Sequence, residues 1–214
     1  MEHREQQGGA ERQQDRADLR REQILEATRA VLDQVGFEKV TTRRIAETAG
    51  VNIATLHYYF GNKESLLSEA VRYAVNTAES RLRAAIADAP SAQEALRRAF
   101  AQVGDLVRER PGILRYDLIV RGFREPSATE EAKAIYATYL GLAQEILESH
   151  ISAGGKLAPG MTVKSLAHYI VTALDGAILH HTLTGDDAAA EQTMELILEH
   201  ALALMNAGSA EGAG

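Results

Sequence analysis

Apolar residues recur every three or four positions along most of this chain, which is the spacing that places them on one face of an α-helix. Between residues 17 and 35 this spacing predicts a first helix, and Gly36 directly after it favours a helix end. The apolar positions on which this prediction rests are Leu19, Ile24, Leu25, Ala27, Val31, Leu32 and Val35.

Short helices follow this first one. The pattern predicts helices over 42–49, over 52–59 and from 62 to about 87, the first two far shorter than those later in the chain. Further helices are predicted over 91–108, 113–124, 128–152, 162–184 and 187–205. Because alternating β-branched runs are nearly missing, the predicted fold class is all-α with about nine helices.

The predicted helices group into two domains between two polar ends. Residues 1–16 are rich in Gln, Arg and Glu and are predicted to form a flexible arm, and residues 207–214 a flexible tail. Residues 17–78 contain the short helices and are predicted to form an N-terminal domain. Residues 79–206 contain the longer helices and are predicted to form a second domain.

Composition narrows the class of protein. With 45% hydrophobic and 25% charged residues the chain is typical of globular proteins, and without cysteine it has no disulfide, thiolate zinc site or cysteine nucleophile. No apolar run reaches the roughly 18 residues that suggest a membrane span, and the polar N-terminus lacks the apolar core of a secretory signal. We therefore expect a cytoplasmic protein with no membrane partner.

The net charge of −7 at first argues against binding to a polyanion. Its distribution weakens that objection, because residues 1–63 carry 10 basic and 10 acidic side chains and the whole acidic excess lies in residues 64–214. Such an asymmetry hints at two tasks on one chain, although an acidic protein needs no special function.

Residues 41–60 have the spacing of a helix-turn-helix. A short helix containing Ile45 stops at Gly50, and Asn52 can cap a second helix after a turn of only about three residues. A turn this short forces one residue towards positive φ, which glycine adopts without a Cβ clash. Leu56 and Ile45 are of the right type to pack the two helices together.

The polar side chains of this motif are of the types that bind DNA. At the start of its first helix, free amides and the positive end of the helix dipole favour a phosphate. Near the start of its second helix, side chains in this motif meet base edges. The candidates are Thr42, Arg43 and Arg44 at the first position, Asn52 and Thr55 at the second, and His57, Tyr58 and Lys63 after them.

The same stretch resembles the DNA-binding domain of the TetR family of bacterial regulators, over about residues 17–78. His57 stands where that family most often has Tyr, and Asn62 with Ser65 replaces the usual cap-and-acid pair. The residues that carry the resemblance are Gly36-Phe37, Thr41-Thr42, Ile45-Ala46, Ala49-Gly50-Val51, Thr55-Leu56, Tyr58-Tyr59-Phe60 and residues 62–67.

The resemblance implies a role for individual positions and for the second domain. The positions that would touch phosphates are Thr42, Tyr58 and Lys63. Those that would face the major groove are Asn52, Ile53, Ala54, Thr55 and His57. The resemblance also implies a homodimer that binds double-stranded DNA at an inverted-repeat operator, with a small-molecule effector bound by residues 79–206.

The last two predicted helices are apolar on more than one stripe, so each must be buried on more than one side. We expect the outer side to meet a second subunit in a four-helix, two-fold symmetric interface. The residues predicted to form this interface are Leu166, Ile170, Ala173, Ala177, Ile178, Leu198 and Leu202.

The central helices mix apolar residues with a few polar ones, which is typical of a ligand pocket and equally of an ordinary core. The candidate pocket residues are Phe100, Tyr116, Arg121, Tyr136, Tyr139, His168 and Asp175. The 7 histidines have no recognised metal-ligand spacing, and no nucleophile motif is present. The sequence therefore predicts no catalytic residue, no metal site and no cofactor.

Taken with the resemblance, these patterns favour a dimeric transcriptional regulator that is not an enzyme, most simply a repressor released from its operator by a small molecule. The alternative is a helical ligand-binding or scaffolding protein whose helix-turn-helix does not bind DNA. Binding to double-stranded DNA distinguishes the two.

Overall fold

The computed structural model describes residues 2–109 and 113–206, and within them every regular element is an α-helix. The all-α prediction is confirmed, and after the first helix the predicted ends agree with the observed ones to within 2 residues. The tail predicted over 207–214 lies outside the described residues. The helices are α1 Glu2–Lys39, α2 Thr42–Ala49, α3 Ile53–Phe60, α4 Lys63–Ile86, α5 Ala92–Glu109, α6 Ile113–Gly122, α7 Pro126–Ser152, α8 Val163–Thr184 and α9 Asp187–Asn206.

The first helix is longer than predicted. It begins at Glu2, so residues 2–16, which were expected to form a flexible arm, are helical. Gln, Arg, Glu and Ala are good helix formers, and together they outweigh the two glycines in this segment. Regular geometry is interrupted at Gly36, with φ 72° and ψ 174°, where the sequence predicted a helix end.

The chain divides into two compact units, Met1–Asn76 and Thr77–Gly214. The division lies 2 residues before the boundary predicted at residue 78, and it falls within α4, which continues from the first unit into the second. None of the helices in the described ranges is long and apolar enough to cross a membrane.

The first unit is built around buried aliphatic side chains of α1 and of the short helices. Ile24 and Leu32 of α1 and Ile45 of α2 are fully buried, and Phe37 fills the core after the break in α1. Thr28 is also buried, and its hydroxyl donates to the Ile24 carbonyl at 2.7 Å, so it leaves no unsatisfied donor in the core.

The second unit has one continuous apolar core to which helices α5, α7, α8 and α9 contribute. Leu147, Leu166, Ala201 and Met205 are fully buried within it. Pro126 is the first residue of α7, where its fixed φ suits a helix start, although the sequence suggested a break there.

His150, near the end of α7, joins three parts of the second unit. Its Nε2–H donates to the Met205 carbonyl of α9 at 2.9 Å, and its Nδ1 accepts from the Gln93 side chain of α5 at 3.3 Å. The ring fills the space beside Gly155, because a Cβ on that glycine would lie 2.2 Å from the imidazole. This buried junction therefore requires glycine at position 155.

Candidate nucleic-acid interface

Helix α2 begins with a side-chain cap. Thr41 has extended backbone geometry, and its hydroxyl oxygen accepts from the amide of Arg44 at 3.2 Å. Thr42, Arg43 and Arg44 therefore occupy the first turn, where the sequence placed them. The Arg43 guanidinium pairs with Glu47 at 3.0 Å and that of Arg44 donates to Gln34 at 3.2 Å, so both are held by local partners.

The turn between α2 and α3 is fixed by glycine and asparagine. Gly50 adopts the left-handed conformation with φ 63°, as the short turn requires, and the amide of Val51 returns to the Ala46 carbonyl at 3.0 Å. Asn52 then caps α3, its Oδ1 accepting from the amide of Thr55 at 2.8 Å and from the Thr55 hydroxyl at 2.9 Å. The predicted cap is confirmed, and the Thr55 proton is engaged locally.

Helix α3 separates into a buried and an exposed side. Leu56 and Phe60 point into the core, with Phe60 only 6% exposed, whereas Tyr58 is 83% exposed and Ile53 41%. Asn52, Ala54 and His57 are also exposed, while Thr55 and Tyr59 are half-buried. The exposed candidate residues of α3 thus run from its N-terminal cap to its last turn, and the aromatic run divides between core and surface.

His57 and Lys63 lie at the C-terminal end of α3 and the start of α4. The Nδ1 of His57 donates to the carbonyl of Gly61 at 2.8 Å, so in the neutral ring Nε2 is an acceptor that faces away from the helix end. Asn62 caps α4 by accepting from the amide of Ser65 at 2.8 Å, which places half-buried Lys63 at the first position of that helix.

Contacts from α1 fix this motif, and none of them was predicted from the sequence. The Arg21 guanidinium pairs with Glu69 of α4 and lies 5.3 Å from the centre of the Phe60 ring. The Gln23 amide nitrogen donates to the Ala49 carbonyl at 2.9 Å, at the last turn of α2. The residues in these pairs are 26 to 48 positions apart in the sequence, and no local sequence pattern predicts such contacts.

The predicted pocket residues have varied surroundings in the second unit. The Tyr116 hydroxyl donates to the Asp175 carbonyl at 2.8 Å, which brings two of them together. Arg121 pairs with Glu125 one turn along the chain, and His168 is exposed, its Nδ1 donating to the Lys164 carbonyl. The remaining three, Phe100, Tyr136 and Tyr139, belong to or pack against the apolar core.

Two buried polar atoms in this unit were not anticipated, the side-chain nitrogen of Gln102 and Nδ1 of His181. The side-chain nitrogen of Gln102 on α5 is inaccessible to solvent and has no hydrogen-bond partner among the described residues. A buried donor left in this state costs about 1–3 kcal/mol, so it marks a place where an acceptor from outside the protein would be favourable.

Most of the residues predicted for the dimer interface are buried within the single chain. Ala173 and Leu198 are half-buried and pack against the core cluster. The fully internal ones are Leu166, Ile170, Ala177, Ile178 and Leu202. The sequence alone does not show which apolar stripe of α8 and of α9 packs against the rest of the same chain.

A different set of apolar side chains remains on the outside of these two helices. Leu179 and Leu183 of α8 are 41% and 76% exposed, and Leu196 of α9 is 60% exposed. The Tyr169 hydroxyl and His200 Nδ1, 2.8 Å apart, connect α8 to α9. In the ranges 2–109 and 113–206 no group of three His, Asp or Glu side chains is arranged to hold a metal ion.

Comparison with known proteins gives a family match within the first unit. Residues 24–70 match the family model described as bacterial regulatory proteins, tetR family. The chain is 43% identical over 54 residues to the HTH-type transcriptional regulator BetI 2 of Chromohalobacter salexigens, covering 25% of this chain and 26% of that protein. It is 37% identical over 76 residues to BetI of Vibrio atlanticus, covering 34% and 38%. The match thus spans less than two fifths of these curated relatives.

Solved structures extend the likeness of the fold to most of the chain. A TetR-family transcriptional regulator from Agrobacterium tumefaciens has a TM-score of 0.74 at 20% identity, covering 86% of this chain and 97% of that one. The transcriptional regulator FadR from Bacillus subtilis, in complex with stearoyl-CoA, has a TM-score of 0.71 at 20% identity, with the same coverage. The helical fold of both units is therefore shared with these regulators.

Proposed function

We propose that the chain is a sequence-specific, DNA-binding transcriptional regulator of the tetR family of bacterial regulatory proteins, because its first unit matches that family's model over residues 24–70. Its relatives BetI and BetI 2 are named as HTH-type transcriptional regulators, not as enzymes. The observation that carries the proposal is the exposed side of α3, where an aromatic, an aliphatic and several polar side chains lie beside a capped helix start.

The chemistry of that surface suits the major groove. A recognition helix contacts base edges with residues near its N-terminus, and here Asn52, Ile53 and Ala54 are exposed at that end, with His57 exposed in the last turn. Because Nδ1 of His57 is held by Gly61, its Nε2 presents an acceptor, which suits the amino group of cytosine or adenine. Ile53 adds an apolar contact for a thymine methyl.

Phosphate contacts would surround this base-reading surface. Thr42 lies in the first turn of α2 and Lys63 in the first turn of α4, where amide groups and the helix dipole favour an anion. The Tyr58 hydroxyl is exposed beside them. Arg43 and Arg44 would have to exchange their bonds to Glu47 and Gln34 for a phosphate.

The experiment that tests DNA binding is selection of bound duplexes from a randomised library, followed by affinity measurement on the enriched site. We expect an inverted repeat to be enriched, and His57→Ala to change the preferred bases by about 1–3 kcal/mol per lost contact. Lys164→Ala, an exposed change on α8, is the control and should bind as the unmodified protein does. Failure to enrich any sequence would favour the scaffolding alternative.

We also propose that two copies associate through the exposed faces of α8 and α9. Leu179, Leu183 and Leu196 are large apolar side chains on the outside of neighbouring helices, and one such patch can complement itself across a two-fold axis. A two-fold dimer holds two recognition helices about 34–36 Å apart, one turn of DNA, which fits an inverted-repeat site.

Analytical ultracentrifugation of Leu196→Asp tests this interface. The substitution adds a charge to a side chain that is already exposed in the single chain, so the fold should persist while the dimer separates and operator affinity is lost. Leu19→Asp, at an equally exposed leucine of α1, controls for the added charge on assembly. A Leu196→Asp protein that stays dimeric and binds its operator would contradict the proposed interface.

The regulator is further proposed to be a repressor that a small molecule releases from DNA. The unpartnered Gln102 donor supports an effector with an apolar body and an acceptor oxygen, and FadR, which has a similar fold, was solved with stearoyl-CoA. Because α4 belongs to both units, a ligand that moves its second half would also move the first. The effector must bind the released state more tightly than the DNA-bound one.

Gln102→Leu tests the effector site in two ways. Without ligand, the variant should unfold at the same or a higher temperature, because it removes an unsatisfied buried donor. In a thermal-shift screen of an acyl-CoA series that includes stearoyl-CoA, it should lose stabilisation that the unmodified protein gains. A variant that is markedly less stable alone would assign Gln102 to the ordinary core.

A further inference from the structure

The N-terminal part of α1 carries its charges on two separate faces. Over residues 15–22 the acidic positions are Asp15, Asp18 and Glu22, and at about 100° per residue they fall on one side of the helix. Arg16 and Arg20 lie four residues apart, on a stripe that is turned by about two fifths of a revolution from the acidic one. The segment is therefore neutral as a whole but polarised across its width.

The basic stripe has a defined place relative to the helix-turn-helix. The Arg20 guanidinium donates to the Gln23 side-chain oxygen at 3.0 Å, and the Gln23 nitrogen donates to the Ala49 carbonyl at 2.9 Å. Ala49 is the last residue of α2, directly before the turn that leads into α3. The face of α1 that contacts this turn therefore also carries Arg20 and, closer to the N-terminus, Arg16.

These two arginines are available for a partner. Both are exposed, and neither has a carboxylate partner among the described residues, in contrast to Arg21, which is bound to Glu69 on another side of the same helix. Arg16 and Arg20 are about 6 Å apart along the helix axis, a distance comparable to about two base-pair steps of DNA. Both lie before residue 24, where the match to the family begins.

We propose that Arg16 and Arg20 form an additional phosphate-binding site, which extends the DNA contact of α3 along the backbone next to the turn. This inference rests on the proposed function, since it assumes that α3 lies in a major groove. The two guanidiniums contact phosphates outside the groove that α3 occupies. They add affinity and salt dependence but no base preference, because phosphate contacts carry no sequence information.

The test measures how the affinity for the selected site depends on salt. The Arg16→Gln/Arg20→Gln variant removes two positive charges per protomer while keeping good helix formers, and each lost phosphate contact should lower the slope of log K against log salt by about 0.9. The matched control is Arg97→Gln/Arg124→Gln, which removes the same charge from two exposed arginines of the second unit. The control should keep the slope of the unmodified protein.

Hydroxyl-radical footprinting and a lysine variant complete the experiment. We expect the glutamine variant to lose protection of backbone positions beside the recognised bases with its base preference unchanged, and Arg16→Lys/Arg20→Lys to restore the slope. An unchanged slope and footprint, or an equal loss in the control variant, would overturn the assignment. Absence of any selected site for the unmodified protein would instead overturn the proposed function.

Discussion

The two units use their side chains in opposite ways. Helix α3 has 8 residues, of which only Leu56 and Phe60 are buried, and glycine turns and asparagine caps fix its exposed face in place. Helix α8 has 22 residues and directs six of them into its own core, so its position depends on buried side chains as well as on the cap at Thr162. A short helix held by its ends can display most of its surface, whereas a long helix in a bundle is held by the surface it buries.

The largest expected effect contrasts neighbouring residues of α8. Ile178→Asp places an unpaired carboxylate at a site that is 8% exposed and should destabilise the second unit by more than about 4 kcal/mol. Leu179→Asp, at 41% exposure, should leave the melting temperature within a few degrees and affect assembly instead. Thermal unfolding and ultracentrifugation of both proteins check this. Equal stability of the two variants would contradict the assigned burial.

The same contrast exists in α3. Phe60→Ala should destabilise the first unit by about 3–5 kcal/mol, since it empties a core position and removes the ring beneath Arg21. Tyr58→Ala should keep the free energy of unfolding and, if Tyr58 binds a phosphate as proposed, weaken DNA binding by about 1.5–3 kcal/mol through loss of a hydrogen bond to a charged group. Chemical denaturation and affinity measurements separate these losses. A destabilised Tyr58→Ala protein would show that this tyrosine supports the fold.

Alanine substitutions at two glycines in or next to α7 should change the stability of the second unit in opposite directions. Gly155→Ala forces a Cβ against the His150 ring and should cost about 1–3 kcal/mol as overpacking. Gly141→Ala lies within α7 with no atom inside 4 Å of the new Cβ, so it should stabilise the unit by about 0.5–1 kcal/mol. Differential scanning calorimetry measures both. If Gly155→Ala matches the stability of the unmodified protein, the ring does not fill that space.

Helix caps offer a matched pair across the two units. Asn52 caps α3 and Thr162 caps α8, and replacing either by alanine should cost about 1 kcal/mol of stability. Only Asn52→Ala should also weaken DNA binding, because only that cap belongs to α3, the helix proposed to read the bases. Denaturation curves and affinities of the two variants, measured side by side, check the difference. Equal losses of DNA affinity in the two variants would mean that the Asn52 cap affects DNA binding only through the overall stability of the protein.

The smallest effect concerns pH and the second unit. A hydrogen bond from the Arg83 guanidinium holds the pKa of Glu145 below its ordinary value, while Glu79 binds the same guanidinium. The pKa of Glu145 is lower in the folded than in the unfolded chain, so the ion pair stabilises the fold at pH values above the ordinary carboxyl pKa. That stabilisation is lost as the pH falls through the lowered pKa of the folded state. The pair is half-exposed, so Glu145→Gln should cost about 0.2–1 kcal/mol near neutral pH and nothing in strong acid. Denaturation at both pH values measures it.

The first unit could be predicted closely because its determinants are local. Thr41, Asn52 and Asn62 each accept a backbone amide three residues ahead, and Gly50 occupies the left-handed position, so a few neighbouring letters specify each helix end. What remained hidden is the support from α1, because the Arg21–Glu69 contact joins residues 48 positions apart.

The second unit was predicted in outline only. Its helices follow from spacing and breaks, but Ile178 and Leu179 are both apolar and adjacent, and only the packed structure shows that the first is internal and the second external. The segment predicted to be a flexible arm is helical over residues 2–16. Its polar composition predicts flexibility, but Gln, Arg, Glu and Ala are also good helix formers, and the helix there includes Arg16 of the basic stripe.

The junction at His150 has a consequence for spectroscopy. With Nδ1 accepting from Gln93 and Nε2–H donating to Met205, the ring is held in one tautomer, and its buried proton should exchange slowly enough with water to give a resolved nitrogen-15-coupled resonance. The other histidines whose side chains the structure describes, at positions 57, 168, 180, 181 and 200, are more exposed than His150. A single resonance would therefore report whether the last turn of α9 stays attached to α7 while a ligand is titrated into the bundle.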